Sequence, residues 1–409
     1  MDMIKELILR RRCRKENKEN NEIPKGCKKA VSGEAFLFLG GIGILFLFLG
    51  IHMGAIHMFN TLMNTAYQLL LDTVFYVMAI AVLSGAVSAL FSEFGVISLL
   101  NKGLSPLMKP IYGLPGASAV GILTTYLSDN PAVLTLKADE NFPEYFQKKH
   151  LPALVNLGTS FGMGMIVTTF MIGIASPSGE SFLLPAVIGN AGGIAGSIVS
   201  TRLILFLSYK EYGRGKPQGK SLKPESESAV LYRKVREGGV GARFMDALLA
   251  GGKSGVQMGI SIIPGVLIIC TLVLMLANGA PEGGYTGGAY EGVAILPWIG
   301  KKLDFILMPL FGFTSPEGIT VPITALGAAG AAISLVPNLV NLGLASGHDV
   351  AVFTAMCICW GGFLSTHAAM MDTFGCRRMT GKAIACHTAG GLCAGILANW
   401  LYQLVSVLM

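Results

Sequence analysis

Charge is scarce in this chain. Asp, Glu, Lys and Arg make up 13% of its 409 residues, about half the share found in soluble domains. That excludes a water-exposed globular body of this size. Cysteine pairing signals are missing as well. The eight cysteines are Cys13, Cys27, Cys270, Cys357, Cys359, Cys376, Cys386 and Cys393, with no Cys-x-x-Cys pair or disulfide framework among them. Cys357 and Cys359 would point to different faces of a helix, which argues against their holding one metal together. All are expected to be small buried apolar residues. The glycine-rich run 280–290 lacks the Gly-Lys-Ser/Thr ending of a phosphate loop. No Ser/His/Asp or paired-carboxylate arrangement has the spacing for hydrolysis. Neither an enzyme nor a cofactor is expected. No small-residue cleavage site follows the charged N-terminal run, so residues 1–34 do not read as a cleavable signal.

Apolar residues, by contrast, reach 52%, and there are 53 glycines, as in bundles whose membrane helices pack through small residues. The chain reads as an all-α polytopic membrane protein. Its net charge of +7 is no sign of nucleic-acid binding. Nineteen of the 31 Lys and Arg lie in segments 1–34 and 209–244, and none in 56–68, 175–182 or 278–290. Such clustering marks a cytosolic side. A bacterial cytoplasmic (inner) membrane is expected, with the N-terminus in the cytosol and the C-terminus outside. About seven spans follow, at 35–56, 69–91, 151–174, 183–207, 255–277, 350–374 and 383–405. Segments 95–112, interrupted by Gly103, Pro106 and Pro110, and 293–310 read as helices lying along the two interfaces.

Between them, residues 121–136 are apolar on both sides of Ser128-Asp129-Asn130-Pro131. Each arm is too short to cross a bilayer, which takes about 20 helical residues. Pro131 donates no backbone hydrogen bond and pushes Asn130 out of helical geometry. Two half-helices meeting at a polar tip, a re-entrant hairpin, are expected. Irregular backbone at membrane depth persists only inside protein or beside water.

An internal repeat supports this reading. Leu107-Met-Lys-Pro-Ile-Tyr-Gly113 matches Ile306-Leu-Met-Pro-Leu-Phe-Gly312 at an offset of 199, which also carries Ser128–Pro131 onto Gly327-Ala-Ala-Gly330 and Gly162 onto Gly361. The expected organisation is a cytosolic segment 1–34, an extra helix and outer loop 35–68, repeat 1 at 69–208 with hairpin 116–139, a cytosolic linker 209–251, and repeat 2 at 252–409 with hairpin 314–344. The repeats have opposite orientation, the pattern of secondary transporters that bind solute and ion at the repeat interface.

With its tip Ser128-Asp129-Asn130-Pro131 and the following Asn156-Leu-Gly-Thr-Ser160, the chain resembles the nucleoside-recognition or gate domain. That domain is shared by concentrative nucleoside transporters, spore maturation membrane proteins and the membrane part of the ferrous-iron transporter. The resemblance covers about 340 residues. It implies a gate fold, transport of a small solute and assembly into a homo-oligomer. Gly327-Ala-Ala-Gly330 lacks the polar groups that nucleoside transporters place at the second tip to hold a ribose. The Gly-Cys-x-Val-Pro pattern of the iron family is absent, as is a GTP-binding domain.

Asp129 is the first candidate site residue, because a carboxylate in a membrane costs about 2.5–3.5 kcal/mol or more. Capping the second half-helix is its structural alternative. Ser128 and Asn130 share the tip. Asn156, Thr159 and Ser160 are candidates with Asp129 for a coupling sodium ion or proton, since the helix at 159–162 could unwind and offer carbonyls. Trp360 could stack on a ring-shaped solute, with Ser365, Thr366 and His367 as polar contacts. Glu317 before the second tip and Asn338 after it complete the solute-binding set. No resident metal is expected. The reading is an ion-coupled secondary transporter of a small polar solute, with a nucleoside or related compound as the candidate. The alternatives are a non-transporting gate protein in sporulation or envelope complexes, and a metal-ion permease using His367, Asp372 and nearby thiols.

Overall fold

The computed structural model describes residues 31–138, 146–213 and 235–408; most of the N-terminal basic segment and about half of the central linker lie outside them. Residues up to Phe59 group as one unit and Asn60–Met409 as another. The first contains α1, Gly33–Met53, which is followed by a turn at Gly54 with φ 81°. Apolar all round and carrying an exposed Phe36, Leu37 and Phe38, α1 suits a lipid environment.

Residues 55–93 form one continuous helix, α2 (Ala55–Glu93). The stretch 56–68, expected as an outer loop, is helical because it contains no Gly or Pro to stop it. A wide π-turn interrupts α2 at Leu69–Val74. Helix α3, Val96–Tyr112, runs unbroken through Gly103, Pro106 and Pro110 and ends at Gly113 in the left-handed conformation. Then come α4 (Ser118–Tyr126), a 3-10 stretch (Asn130–Ala138), α5 (Leu151–Thr159), α6 (Gly164–Gly173) and α7 (Leu183–Tyr212).

The order then recurs. Helix α8 (Val240–Ala277) contains a second π-turn, Val266–Cys270, and begins 15 residues before the expected span. Helix α9, Ile295–Phe311, matches α3 in its 17 residues, its internal proline and its left-handed terminal Gly312. The 3-10 turn Pro316–Ile319, α10 (Thr320–Gly327), α11 (Ala329–Asn341), α12 (Gly347–Trp360), α13 (Phe363–Thr373) and α14 (Thr380–Leu408) follow. Even the caps correspond. Arg202 on α7 donates to the carbonyls of Pro110 and Ile111 at the end of α3. Asn399 on α14 donates to Pro309 and Leu310 at the end of α9, at 3.5 and 2.9 Å. Each satisfies carbonyls that a helix end leaves without donors.

Among the described residues, six helices are long and apolar enough to cross a membrane. The expected span 350–374 is not among them, because it is split into the shorter α12 and α13. Likewise 151–174 is interrupted between α5 and α6. Gly361 and Gly362, at φ 53° and 71°, break the first, and Met163, at φ 59°, the second. A left-handed methionine costs roughly 1–2 kcal/mol that neighbouring packing must offset. Like helices pair: α2 packs along α8, and α7 along α14. Gly251, Gly255 and Gly259 face α2 so closely that a Cβ on Gly251 would lie 2.7 Å from the Ala89 Cβ. Helix α12 packs against α7 and α14 and is buried at every residue but His348. Ser346 and Asp349 form its capping box. Asp349 also takes the Thr314 amide at 2.8 Å and its hydroxyl, tying the start of the second hairpin segment to α12.

Candidate functional site

Three interruptions of the helical chain meet at Asn130, and a fourth reaches the neighbouring Gly362. The chain leaves α4 at Leu127, and Asn130, fully buried, opens the 3-10 stretch, so Pro131 does not push it out of helical geometry as expected. Asn130 Nδ2 donates to the Gly361 carbonyl at 2.6 Å and reaches Thr366 Oγ1 on α13 at 3.4 Å. Its carboxamide also lies against Gly162: a Cβ there would sit 2.5 Å from Asn130 Cγ and 3.0 Å from its amide nitrogen. On the other side of the Gly361-Gly362 break, the Gly362 amide donates to the Ala325 carbonyl at 3.0 Å. A Cβ on Gly362 would meet Ala328 Cα at 3.1 Å. Ala328 is the extended residue between α10 and α11, at φ −158° and ψ 112°. Both tips therefore touch the interruption between α12 and α13. Asn130 Oδ1 is buried with no hydrogen-bond partner among the described residues. It is packed against the backbones of Gly162 and Gly361.

Beside it lies a buried polar chain. Asn156 Oδ1 meets His367 Nε2 at 2.9 Å, and Asn156 Nδ2 donates to Ser200 Oγ at 3.0 Å and to the Ala383 carbonyl at 3.1 Å. Ser200 Oγ meets His387 Nδ1 at 2.9 Å. The imidazole centroids of His367 and His387 are 5.1 Å apart, with Phe363 edge-on to both. In the first repeat, Thr168 and Asn190 occupy the matching places, joined at 2.8 Å and bonded to Tyr126. The two halves thus carry like-placed polar pairs of different chemistry.

The expected site residues divide. Asn130, Thr366, His367 and Asn156 come together. Ser128 and Asp129 are half-buried at the tip. Asp129 Oδ1 accepts the amide of the adjacent Asn130 at 2.7 Å, and no cation pairs with it among the described residues. Thr159 and Ser160 are buried at the interruption, but their hydroxyls donate back to Val155 and Asn156. The unwinding expected at 159–162 is present. Ser365 belongs to α13, though its side chain lies outside the described ones. Trp360 does not face an open space: its indole packs on Gly391 and donates to the Thr388 carbonyl at 3.3 Å. Glu317 stands in the first turn of the second hairpin segment, away from the tip. Asp372 is exposed and pairs at 3.9 Å with Arg377, whereas His367 is buried, so the two do not join. Among the described residues no three potential metal ligands converge.

Asn338 instead lines a cavity of about 420 Å³ near the far end of α11, shared with Asp72 on the first π-turn. Sequence reasoning passed over Asp72, although a lone carboxylate in Leu69-Leu-Leu-Asp-Thr-Val74 is itself a signal. The cavity is bounded by Tyr290, a left-handed residue at φ 63°. Its amide donates to Thr65 Oγ1 at 2.9 Å. The neighbouring Glu291 carboxylate organises the loop by accepting from the Gly287 and Gly288 amides at 3.0 Å each and from Thr286. Burial pushes the Glu291 carboxyl up, but these donors outweigh it and leave it below its ordinary value. Burial raises the Tyr290 hydroxyl, and the Asp72 carboxylate adds to that. A carboxyl lowered on folding contributes stability above its unfolded value of about 4.3 and loses it as pH falls through the folded value. The thermal midpoint should therefore fall on acidification from neutral pH through the carboxylate range. Glu291→Gln should remove part of that slope, and an unchanged slope would show that the loop does not depend on the charge.

No known protein family matches the chain by sequence, and no curated protein does so either. Solved structures do. The chain is similar to CNTnw, a concentrative nucleoside transporter, in an inward-facing substrate-bound state, with TM-score 0.51 and 14% identity over 90% of this chain and 83% of that one. A CNTnw variant in an outward-facing state gives TM-score 0.50 and 14% identity over 91% and 86%. Another, in the intermediate 2 state, gives 0.50 and 15% over 91% and 84%. At this identity the likeness is one of fold, and it extends over both halves: the chain shares the all-α, multi-pass fold of CNTnw.

Proposed function

We propose that this protein is an ion-coupled secondary transporter of a small polar solute, with a nucleoside or related compound as first candidate and sodium or protons as the coupling ion. One observation carries the reading: the buried Asn130 carboxamide joins the first tip to the interruption between α12 and α13, with the interruption at Gly162 against its other face. Chain breaks at membrane depth expose backbone groups that a solute or ion can use. The fold shared with a nucleoside transporter favours the same reading. In this proposal the two hairpins are re-entrant, the repeats are inverted, the N-terminus is cytosolic in a bacterial inner membrane, and copies assemble into a homo-oligomer.

A second reading, a non-transporting gate protein, draws on the second tip, where Gly327-Ala-Ala-Gly330 offers no polar side chain. Ligand-dependent stability separates the two. A solute at 100 times its dissociation constant adds about 2.7 kcal/mol to the native state. For a coupled transporter, the thermal midpoint rises with one nucleoside or related solute, and more in sodium than in potassium or with a shift in pH. No shift with nucleosides, nucleobases or amino acids in any of these buffers favours the gate protein.

A further inference from the structure

The cavity beside Asp72 lies away from the Asn130 centre. Asn338 follows the second tip by nine residues on α11, about 13 Å along the axis at 1.5 Å per residue. Its volume of about 420 Å³ falls within the range of small-molecule sites. Five segments meet around it: α2 at its π-turn, the end of α6, the end of α8 at Leu274, the second half of α11 and the loop bearing Tyr290.

Its chemistry is one-sided. Asp72 is the one charged residue lining it, exposed and without an ion-pair partner among the described residues. Around it stand the rings of Tyr76, Phe170 and Tyr290, with Asn338 and Asn341 supplying amides. Tyr76 and Phe170 meet edge to face at 5.7 Å, and the Tyr76 hydroxyl is fixed on the Gly173 carbonyl at 3.0 Å. Tyr290 is held in its left-handed conformation by the Thr65 bond and the Glu291-centred loop. Strained residues persist where surrounding structure over-determines them, and they cluster at ligand clamps. A carboxylate in a cavity lined by aromatic rings suits a cation, which can draw on both the charge and the ring quadrupoles.

We infer that this cavity binds a small organic cation, its ammonium group paired with Asp72 among Tyr76, Phe170 and Tyr290. The inference does not depend on the transport proposal, since it uses none of the residues around Asn130. The test is ligand binding to the purified full-length protein, by thermal shift and calorimetry. The probes are choline, tetramethylammonium and ethanolamine, set against 3,3-dimethyl-1-butanol, the uncharged isostere of choline. At least one ammonium probe should bind saturably, and choline, where it binds, at least about tenfold more tightly than its isostere. Asp72→Asn should remove the preference for charge, and Tyr290→Leu should weaken binding while leaving that preference. Comparing the two isosteres on the unmodified protein keeps the test valid if a variant fails to fold. Equal affinity for choline and its isostere, or no saturable binding of any ammonium probe, would overturn the inference.

Discussion

Asn130→Ala is expected to destabilise the protein by about 1–3 kcal/mol and to abolish solute movement. The Gly361 carbonyl would lose a donor at 2.6 Å while remaining buried, and a void would open against Gly162. An acceptor buried without a partner carries its full desolvation cost, whereas a matched bond contributes modestly, so the loss exceeds the bond's apparent worth. Asn130→Leu separates the two causes. It restores most of the volume but not the donor, and should recover only the part of the loss that comes from the void. Recovery of the full stability by leucine would mean that the carboxamide serves packing alone. Thermal midpoints in detergent read this directly, provided unfolding is reversible enough to compare variants.

The second large effect is expected at Gly255→Ala, where α8 crosses α2. A Cβ there would lie 2.5 Å from the carbonyl carbon of Ala81 and from Val82 Cα. Those are backbone atoms, so the helices must part. Overpacking of this kind costs typically 1–3 kcal/mol, occasionally more. Gly252→Ala is the matched comparison, since its Cβ would find only Val82 Cγ1 at an ordinary 3.5 Å. Both substitutions gain the same helix propensity, roughly 0.8–1.0 kcal/mol per Gly replaced. Gly252→Ala should therefore be neutral or stabilising, and Gly255→Ala clearly destabilising, in monodispersity and thermal midpoint. Equal behaviour of the two would show that close approach through Gly255 does not hold α2 to α8.

Much of this architecture could be read from the chain, and most of what could not depends on tertiary contacts. The break after α4 was legible because Ser128-Asp129-Asn130-Pro131 interrupts an apolar run. The repeat was legible because its offset of 199 places identical caps, and α3 and α9 end at Gly113 and Gly312 as that offset requires. The interruption at Gly361-Gly362 carries no proline and lies inside a continuous apolar run, so its left-handed backbone follows from contacts with Asn130 and the second tip. Trp360 illustrates the converse. An aromatic residue near a polar run suggests a stacking surface, yet Gly391 across the helix pair makes a slot that takes the indole as packing. The meeting of Asn156 with His367, 211 positions apart, and the turning of Asp372 toward Arg377 are tertiary facts that helix spacing does not contain. Asp72 was missed for a different reason: its span was read as a crossing, and its π-turn and cavity have no simple sequence signature.

Coupled transport is tested most directly by uptake of labelled nucleosides into vesicles containing the purified protein, with an inward sodium or proton gradient and with none. The prediction is uptake above empty vesicles that rises with one of the gradients and is lost in Asn130→Ala vesicles holding equal amounts of folded protein. Uptake that Asn130→Ala leaves intact, or none above empty vesicles under either gradient for any solute that stabilises the protein, would contradict it.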